Sequence, residues 1–314
     1  MASVVLTQHL LAQGYDYAEI GRRARIGDLQ RVRRGAYSLE PGDRTDPAAA
    51  HRLLLESTVA QTTSPVVVSH QSAGVMHRLP TWSDELTRVH LTREQRGGGT
   101  VRTYVHLHAG SLRADDVVMI DGFPVTSLAR TVADLARTSP MMRALPMADA
   151  ALALGLERSA LSDAIERTAG WPGIGRARRT AAFADGRSES VGESTSRLVF
   201  AEAGLPCPVP QYEISDVHGR FVGRADFGWE NEGTLGEFDG RVKYGRLLKP
   251  GQSVGDVLFE EKRREDALRD LGWQIVRWIW ADLLQPEPLL ERLRRAFARG
   301  RRSSRVTSSA ARHV

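Results

Sequence analysis

The chain has 314 residues, more than one hydrophobic core usually organises, so two or three domains are expected. With 41% hydrophobic and 26% charged residues it reads as globular, and 43 Lys and Arg against 38 Asp and Glu leave a net charge of +5 that favours polyanionic partners. A single cysteine, Cys207, excludes an internal disulfide and a thiolate zinc cluster, and no segment offers the roughly 18 consecutive apolar residues of a membrane helix. The opening MASVVLTQHLLAQG lacks a cationic start and an unbroken apolar run, which argues against a signal peptide and for a cytoplasmic protein without a membrane partner.

Residues 1–42 form the first expected domain. Leu6, Leu10 and Leu11 recur at helical spacing before Gly14, and Asp16 stands as the N-cap of a second helix, YAEIGRRAR, which Gly27 can stop. LQRV and AYSL follow as short strands around RRG, giving the order of a small winged helix. All Lys/Arg positions among the first 45 residues are arginine. Arg22, Arg23 and Arg25 fall on the second helix, and Arg31, Arg33 and Arg34 on the ribbon. A helix in the major groove with a wing beside the backbone needs this distribution, because guanidinium groups pair phosphate and read guanine edges. DNA is therefore the expected partner, with a solvated basic face as the plainer alternative.

Residues 43–186 read as an α+β middle domain. Asp46-Pro47 caps a helix through AAAHRLLLESTVAQ, and PVVVSH, LTRVHLT, VRTYVHLH and DVVMIDG read as strands, with QSAGVMHRL a short helix between the first two. TSLARTVADLAR is a capped helix, and 144–184 continue as Ala/Leu/Arg-rich helical pieces. His70, His77, His90, His106 and His108 crowd this stretch. Their spacing fixes no acidic partner, so structural or surface roles are expected of them. The GGG at 97–99 lacks the Lys-Ser/Thr of a phosphate loop.

Residues 187–298 form the third expected domain, with 299–314, basic and Ser-rich, as a disordered tail. A helix VGESTSRLVFAEAG precedes strands at about 210–214, 220–229 and 234–241, a helix at about 256–271, the strand WQIVRWIW and a terminal helix. If 222–229 and 234–241 pair about Asn231 and Glu232, Asp226 lies opposite Glu237, and Asp239 joins them on the polar face. Like charges so placed ask for a cation, and hard oxygen ligands favour Mg²⁺ or Mn²⁺. Neutralisation by Arg224, Arg241 or Lys243 is the equally open alternative.

Two resemblances bear on these readings. LTQHLLAQG through LQRVRRGAYSL, SHQSAGVMHRLP and MIDGFPVTSLARTVADLA resemble the winged-helix and middle domains of AbiEi-type antitoxins, across about residues 1–170. That likeness implies DNA binding, autorepression at a promoter and a toxin protein as a second partner. DFGW, EFDGRVKY and EKRREDALRDLGWQIVRWIW are similar to the very-short-patch-repair-like branch of the PD-(D/E)XK nucleases, across residues 190–285. It implies a C-terminal restriction-endonuclease-like mixed sheet flanked by helices. Asp226, Glu237 and Asp239 would hold Mg²⁺ or Mn²⁺, Lys243 would serve the scissile phosphate and Glu193 would support the metal. Two departures stand out: Asp239 occupies the place of the superfamily lysine, and Lys243 that of a histidine common in this branch. An active endonuclease and a non-catalytic antitoxin or repressor that keeps the nuclease fold both remain open.

Overall fold

The computed structural model describes residues 4–39, 45–94, 97–216, 218–240 and 254–310, with side chains described in all of these but 254–261 and 302–310. It is a mixed α/β chain in two units, Met1–Ala184 and Asp185–Val314.

The first unit begins with β1 (Val4–Leu6), α1 (Thr7–Ala12), α2 (Tyr17–Ile26), β2 (Gln30–Arg33) and β3 (Ala36–Ser38). Asp16 caps α2 by accepting from the Glu19 amide at 2.7 Å, and Gly27, at φ 91°, ends it in the left-handed region that a Cβ disfavours. Leu10, Ile20 and Leu29 fill a small core. The strands are antiparallel in the order β1-β3-β2. β1 is the addition to the expected elements; three residues are too few for an alternation to show.

α3 (Pro47–Ala60) follows, with Asp46 accepting from the Ala48 amide at 2.9 Å and Pro47 in the first turn. β4 (Val67–Val68), α4 (His70–Met76), β5 (Val89–Arg93), β6 (Thr100–Val101), β7 (Val105–Ala109), β8 (Val117–Ile120) and β9 (Phe123–Thr126) supply a six-stranded sheet in the order β6-β7-β5-β4-β9-β8. The β5–β7 and β4–β9 pairs are parallel, the others antiparallel. β9 is absent from the sequence reading because Pro124 argues against a central strand. It is tolerated there because β9 meets β4 only at Val125. Asp121 and Gly122, at φ 50° and 84°, make the two-residue turn whose twist suits a hairpin. Leu55, Val68, Met76, Val89, Leu91 and Val125 join α3, α4 and the sheet in one core.

α5 (Leu128–Thr138), α6 (Met141–Ala153), α7 (Arg158–Glu166) and α8 (Ile174–Phe183) complete the unit. α5 carries a buried ion network. Arg130 donates to Asp134 at 2.8 Å and Asp116 at 3.0 Å, Arg137 to Asp134 at 3.2 Å, and Arg167 to Asp116 at 3.1 Å. Spacings of three and four residues put Arg130, Asp134 and Arg137 on one face of the helix.

The second unit contains α9 (Val191–Glu202), β10 (Val209–Ser215), β11 (Phe221–Trp229), β12 (Thr234–Phe238), α10 (Val254–Asp270), β13 (Gln274–Trp278), α11 (Trp280–Leu284) and α12 (Glu287–Ala310). Its sheet runs β10-β11-β12-β13; β12 and β13 are parallel, as a connection through α10 permits, and the rest antiparallel. Phe200, Phe227, Trp229, Trp278 and Phe297 pack edge to face, tilted or stacked in an aromatic core, and Trp278 Nε1 donates to Ser196 Oγ at 2.8 Å. Gly236 leaves room for the Trp278 ring, which a Cβ there would meet at 2.6 Å.

Two expectations are corrected in this unit. The strand WQIVRWIW stops at Trp278, because Asp282 accepts from the Ile279 amide and starts α11; Trp280 is thus a helical, half-exposed residue. The span from 299, read as a disordered tail, is helical through Ala310. Buried Leu289, Leu293, Ala296 and Phe297 carry the apolar face of α12 up to it. Arg299 then donates to Gln274 at 3.0 Å, and Arg301 pairs with Glu232.

Candidate functional site

The register Phe227↔Gly236, Gly228↔Leu235 and Trp229↔Thr234 continues to place Asp226 level with Glu237. Asp226 Oδ2 accepts from the Phe238 amide at 2.7 Å. Burial pushes the Asp226 carboxyl up to about 6; that amide opposes the shift, and repulsion from Glu193, Glu237 and Asp239 adds to it. Three other acids named from the sequence are therefore close enough to repel Asp226.

Glu237 is neutralised from two elements. Arg264 on α10 donates to its Oε1 at 2.8 Å, and Arg277, its register partner on β13, donates to its Oε2 at 2.7 Å. Each carboxylate oxygen thus already holds a charge-assisted bond. Arg264 also donates to the Arg224 carbonyl at 3.0 Å, and Arg277 reaches Glu265 at 3.3 Å, so both guanidinium groups are anchored. The expected neutralisers differ: Arg224 pairs with Glu189 at 3.0 Å, while Arg241 and Lys243 lie outside the described residues.

Glu193 is buried at the start of α9 in a capping arrangement. It accepts from the Glu189 amide at 2.9 Å, Ser190 Oγ at 2.7 Å and Gln211 Nε2 at 2.8 Å, and its own amide donates to Ser190 Oγ. Asp239 is half-buried, with its amide on the Trp278 carbonyl at 2.8 Å. Among the described residues, the set of three His, Cys, Asp or Glu ligand atoms lying within 4.8 Å of one another is His70, His90 and His108, and these carboxylates form no such set. A divalent cation held by Asp226, Glu237 and Asp239 would share Glu237 with two guanidinium groups.

The six arginines of the N-terminal elements divide by environment. Arg22, Arg25, Arg31 and Arg34 are exposed. Arg22 and Arg23 both bind Glu19, holding its carboxyl down at about 2, and Arg23 also lies over the Tyr15 ring. Arg33 turns inward, donating to Thr58 Oγ1 at 2.6 Å and lying over Tyr104 at 5.3 Å. Five of the six thus sit on α2, β2 or the turn after it without entering the interior, and Arg33 fastens the ribbon to the rest of its unit.

No family model matches the chain. Two Mycobacterium tuberculosis proteins, Rv2248 of strain H37Rv and MT2308 of strain CDC 1551, each carrying the name uncharacterized protein, are 34% identical to it over 204 residues, 64% of this chain and 70% of theirs. The chain belongs to the family of these two mycobacterial proteins. Family membership brings no activity with it, since neither relative's name states one. Among the described residues no helix is long and apolar enough to cross a membrane.

Proposed function

We propose that the chain is a DNA-binding protein that grips the duplex with α2 and the β2–β3 ribbon. The observation that carries this reading is the outward set Arg22, Arg25, Arg31 and Arg34 on adjoining elements. The order strand, helix, helix, two-stranded ribbon supports a winged helix, in which α2 would enter the major groove and the ribbon flank the phosphates. The likeness to AbiEi-type antitoxins adds promoter autorepression and a toxin partner as the context. Residues 190–285 are then a nuclease-like unit kept as a scaffold, a reading that the Arg264–Glu237–Arg277 clamp supports.

Point substitutions test the DNA reading. Wild-type protein should retard duplex DNA in a salt-sensitive manner. Changing Arg22, Arg25, Arg31 and Arg34 to Ala should lower the slope of log affinity against log salt by about one unit per phosphate contact removed. Unchanged affinity and slope in the folded quadruple variant would sink the proposal.

A second reading, a Mg²⁺- or Mn²⁺-dependent DNA endonuclease, is favoured by the crowding of Asp226 with Glu193, Glu237 and Asp239. Asp226, Glu237 and Asp239 would hold the ion, which would polarise a phosphodiester, with Lys243 serving the scissile phosphate and Glu193 supporting the metal. Supercoiled plasmid should then be nicked in Mg²⁺ or Mn²⁺ and left intact by Asp226→Ala. Cutting that survives this substitution would remove the assigned site, and absence of cutting by wild type leaves the scaffold reading in place.

A further inference from the structure

We propose that His70, His90 and His108 form a binding site for one divalent transition-metal ion of the zinc class. The three come from separate elements. His90 lies on β5 and His108 on β7, strands paired in parallel with His90↔His106 and Thr92↔His108, so both imidazoles share one face of the sheet. His70 follows β4, the strand on the other side of β5, and opens α4 at φ 50°. A non-glycine residue at positive φ is uncommon, and here the bend brings the ring over the same face.

One ligand atom from each histidine lies within 4.8 Å of the others. His90 Nδ1 and His108 Nε2 are 3.0 Å apart, and the His70 and His108 rings are stacked with centroids 3.6 Å apart. Zinc bonds of 2.0–2.1 Å in a tetrahedron set neighbouring ligand nitrogens about 3.3 Å apart, so modest side-chain rotations close the set around an ion.

The decisive atom is His70 Nε2. It is buried, belongs to a residue 3% exposed, and has no hydrogen-bond partner among the described residues. The other nitrogen, Nδ1, lies 3.0 Å from Ser69 Oγ, which also accepts from Thr92 Oγ1 at 2.7 Å. A proton on Nδ1, donated to Ser69 Oγ, leaves the lone pair on Nε2. Hydrogen bonding of the second nitrogen is the usual way a protein orients a ligating imidazole. Burial holds all three rings below their ordinary range, helped at His70 by repulsion from His90 and the positive Arg137, at His108 by repulsion from His70 and His106, and at His90 by repulsion from His108 and His106. All three are in the neutral form that ligates.

Imidazole donors suit zinc, copper, nickel and iron rather than Mg²⁺ or Ca²⁺. Three protein ligands leave a fourth position. His70 and His108 line a cavity of about 470 Å³ also bordered by Arg137, Thr138 and Trp171, from which water or a small anion would supply the remaining ligand. His106, stacked on His108 with centroids 3.9 Å apart but outside the set, is the internal control.

The test uses untagged full-length protein, stripped with chelator, loaded with Zn²⁺ and freed of excess by gel filtration. Wild type and His106→Gln should retain about one zinc per chain by mass spectrometry of the metal. His90→Gln and His108→Gln, with circular dichroism like wild type, should retain less than about a tenth of that. Asp226→Asn should retain the wild-type amount, which separates this site from the carboxylates. Co²⁺ in wild type should give visible absorption of tetrahedral intensity, a readout that needs no variant to fold. Wild-type zinc content below a tenth of an equivalent with no such cobalt spectrum, or full retention by both histidine variants, would overturn the proposal.

Discussion

Two ion networks, one in each unit, show what a guanidinium does for a buried carboxylate. In the first unit Asp116 and Asp134 are almost fully enclosed, and each is bonded by two of the arginines 130, 137 and 167. In the second, Glu237 is bonded by Arg264 and Arg277, themselves about a third exposed, while Asp226 has no arginine or lysine partner among the described residues and is pushed up to about 6. Burial is common to both networks. Burial raises Asp134 too, against the pull of its two arginines; what separates Asp226 is that, among the described residues, it has no arginine or lysine to oppose the shift.

The comparison breaks most easily at its most buried point. Asp134→Ala removes one acid from beneath Arg130 and Arg137 and should destabilise the first unit by about 3–5 kcal/mol in urea denaturation, since it leaves buried Arg137 without a carboxylate and Arg130 with Asp116 alone. A loss under about 1 kcal/mol would mean that Asp116 and carbonyl oxygens carry the arginines alone. The next effect is a pH dependence at Asp226. Its folded pKa, about 6, is above the ordinary 3.8, so its favourable contribution is complete below pH 4 and is lost as pH rises through 6. Asp226→Asn should match wild type at pH 4 and exceed it by about 2 kcal/mol at pH 8, a figure reduced for partial exposure. Tryptophan fluorescence reads this, because Trp229, Trp273, Trp278 and Trp280 all lie in that unit. An equal gain at both pH values would put the effect in packing instead of charge. The smallest change is expected from Glu237→Gln, about 1 kcal/mol, because water reaches Arg264 and Arg277 and replaces part of what the carboxylate gave.

What the sequence made legible was local. Asp16 and Asp46 cap the helices they were expected to cap, Gly27 ends α2, and hairpin register puts Asp226 level with Glu237. Each of these follows from residues within a dozen positions of one another. The clamp on Glu237 escaped because its arginines are 27 and 40 positions away, on a helix and a parallel strand whose approach depends on the whole sheet. The histidines were visible as a crowd but not as a site, since the useful neighbour of His108 is His70, brought in across two strand pairings and an unusual backbone bend. β9 was hidden by Pro124, and the docking of Arg299 and Arg301 by a composition that looks like a tail.

Arg33 has a consequence for how the first unit evolves and is dissected. By its bond to Thr58 and its place over Tyr104, helped by Gln61 reaching the Arg34 carbonyl at 3.2 Å, it makes the N-terminal helices and ribbon a riveted part of the larger sheet rather than a detachable cassette. Excising residues 1–40 would remove the arginines and leave buried Thr58 without its Arg33 partner. A chain that received this segment would keep the anchor only where a hydroxyl like that of Thr58 and a ring like that of Tyr104 were also present.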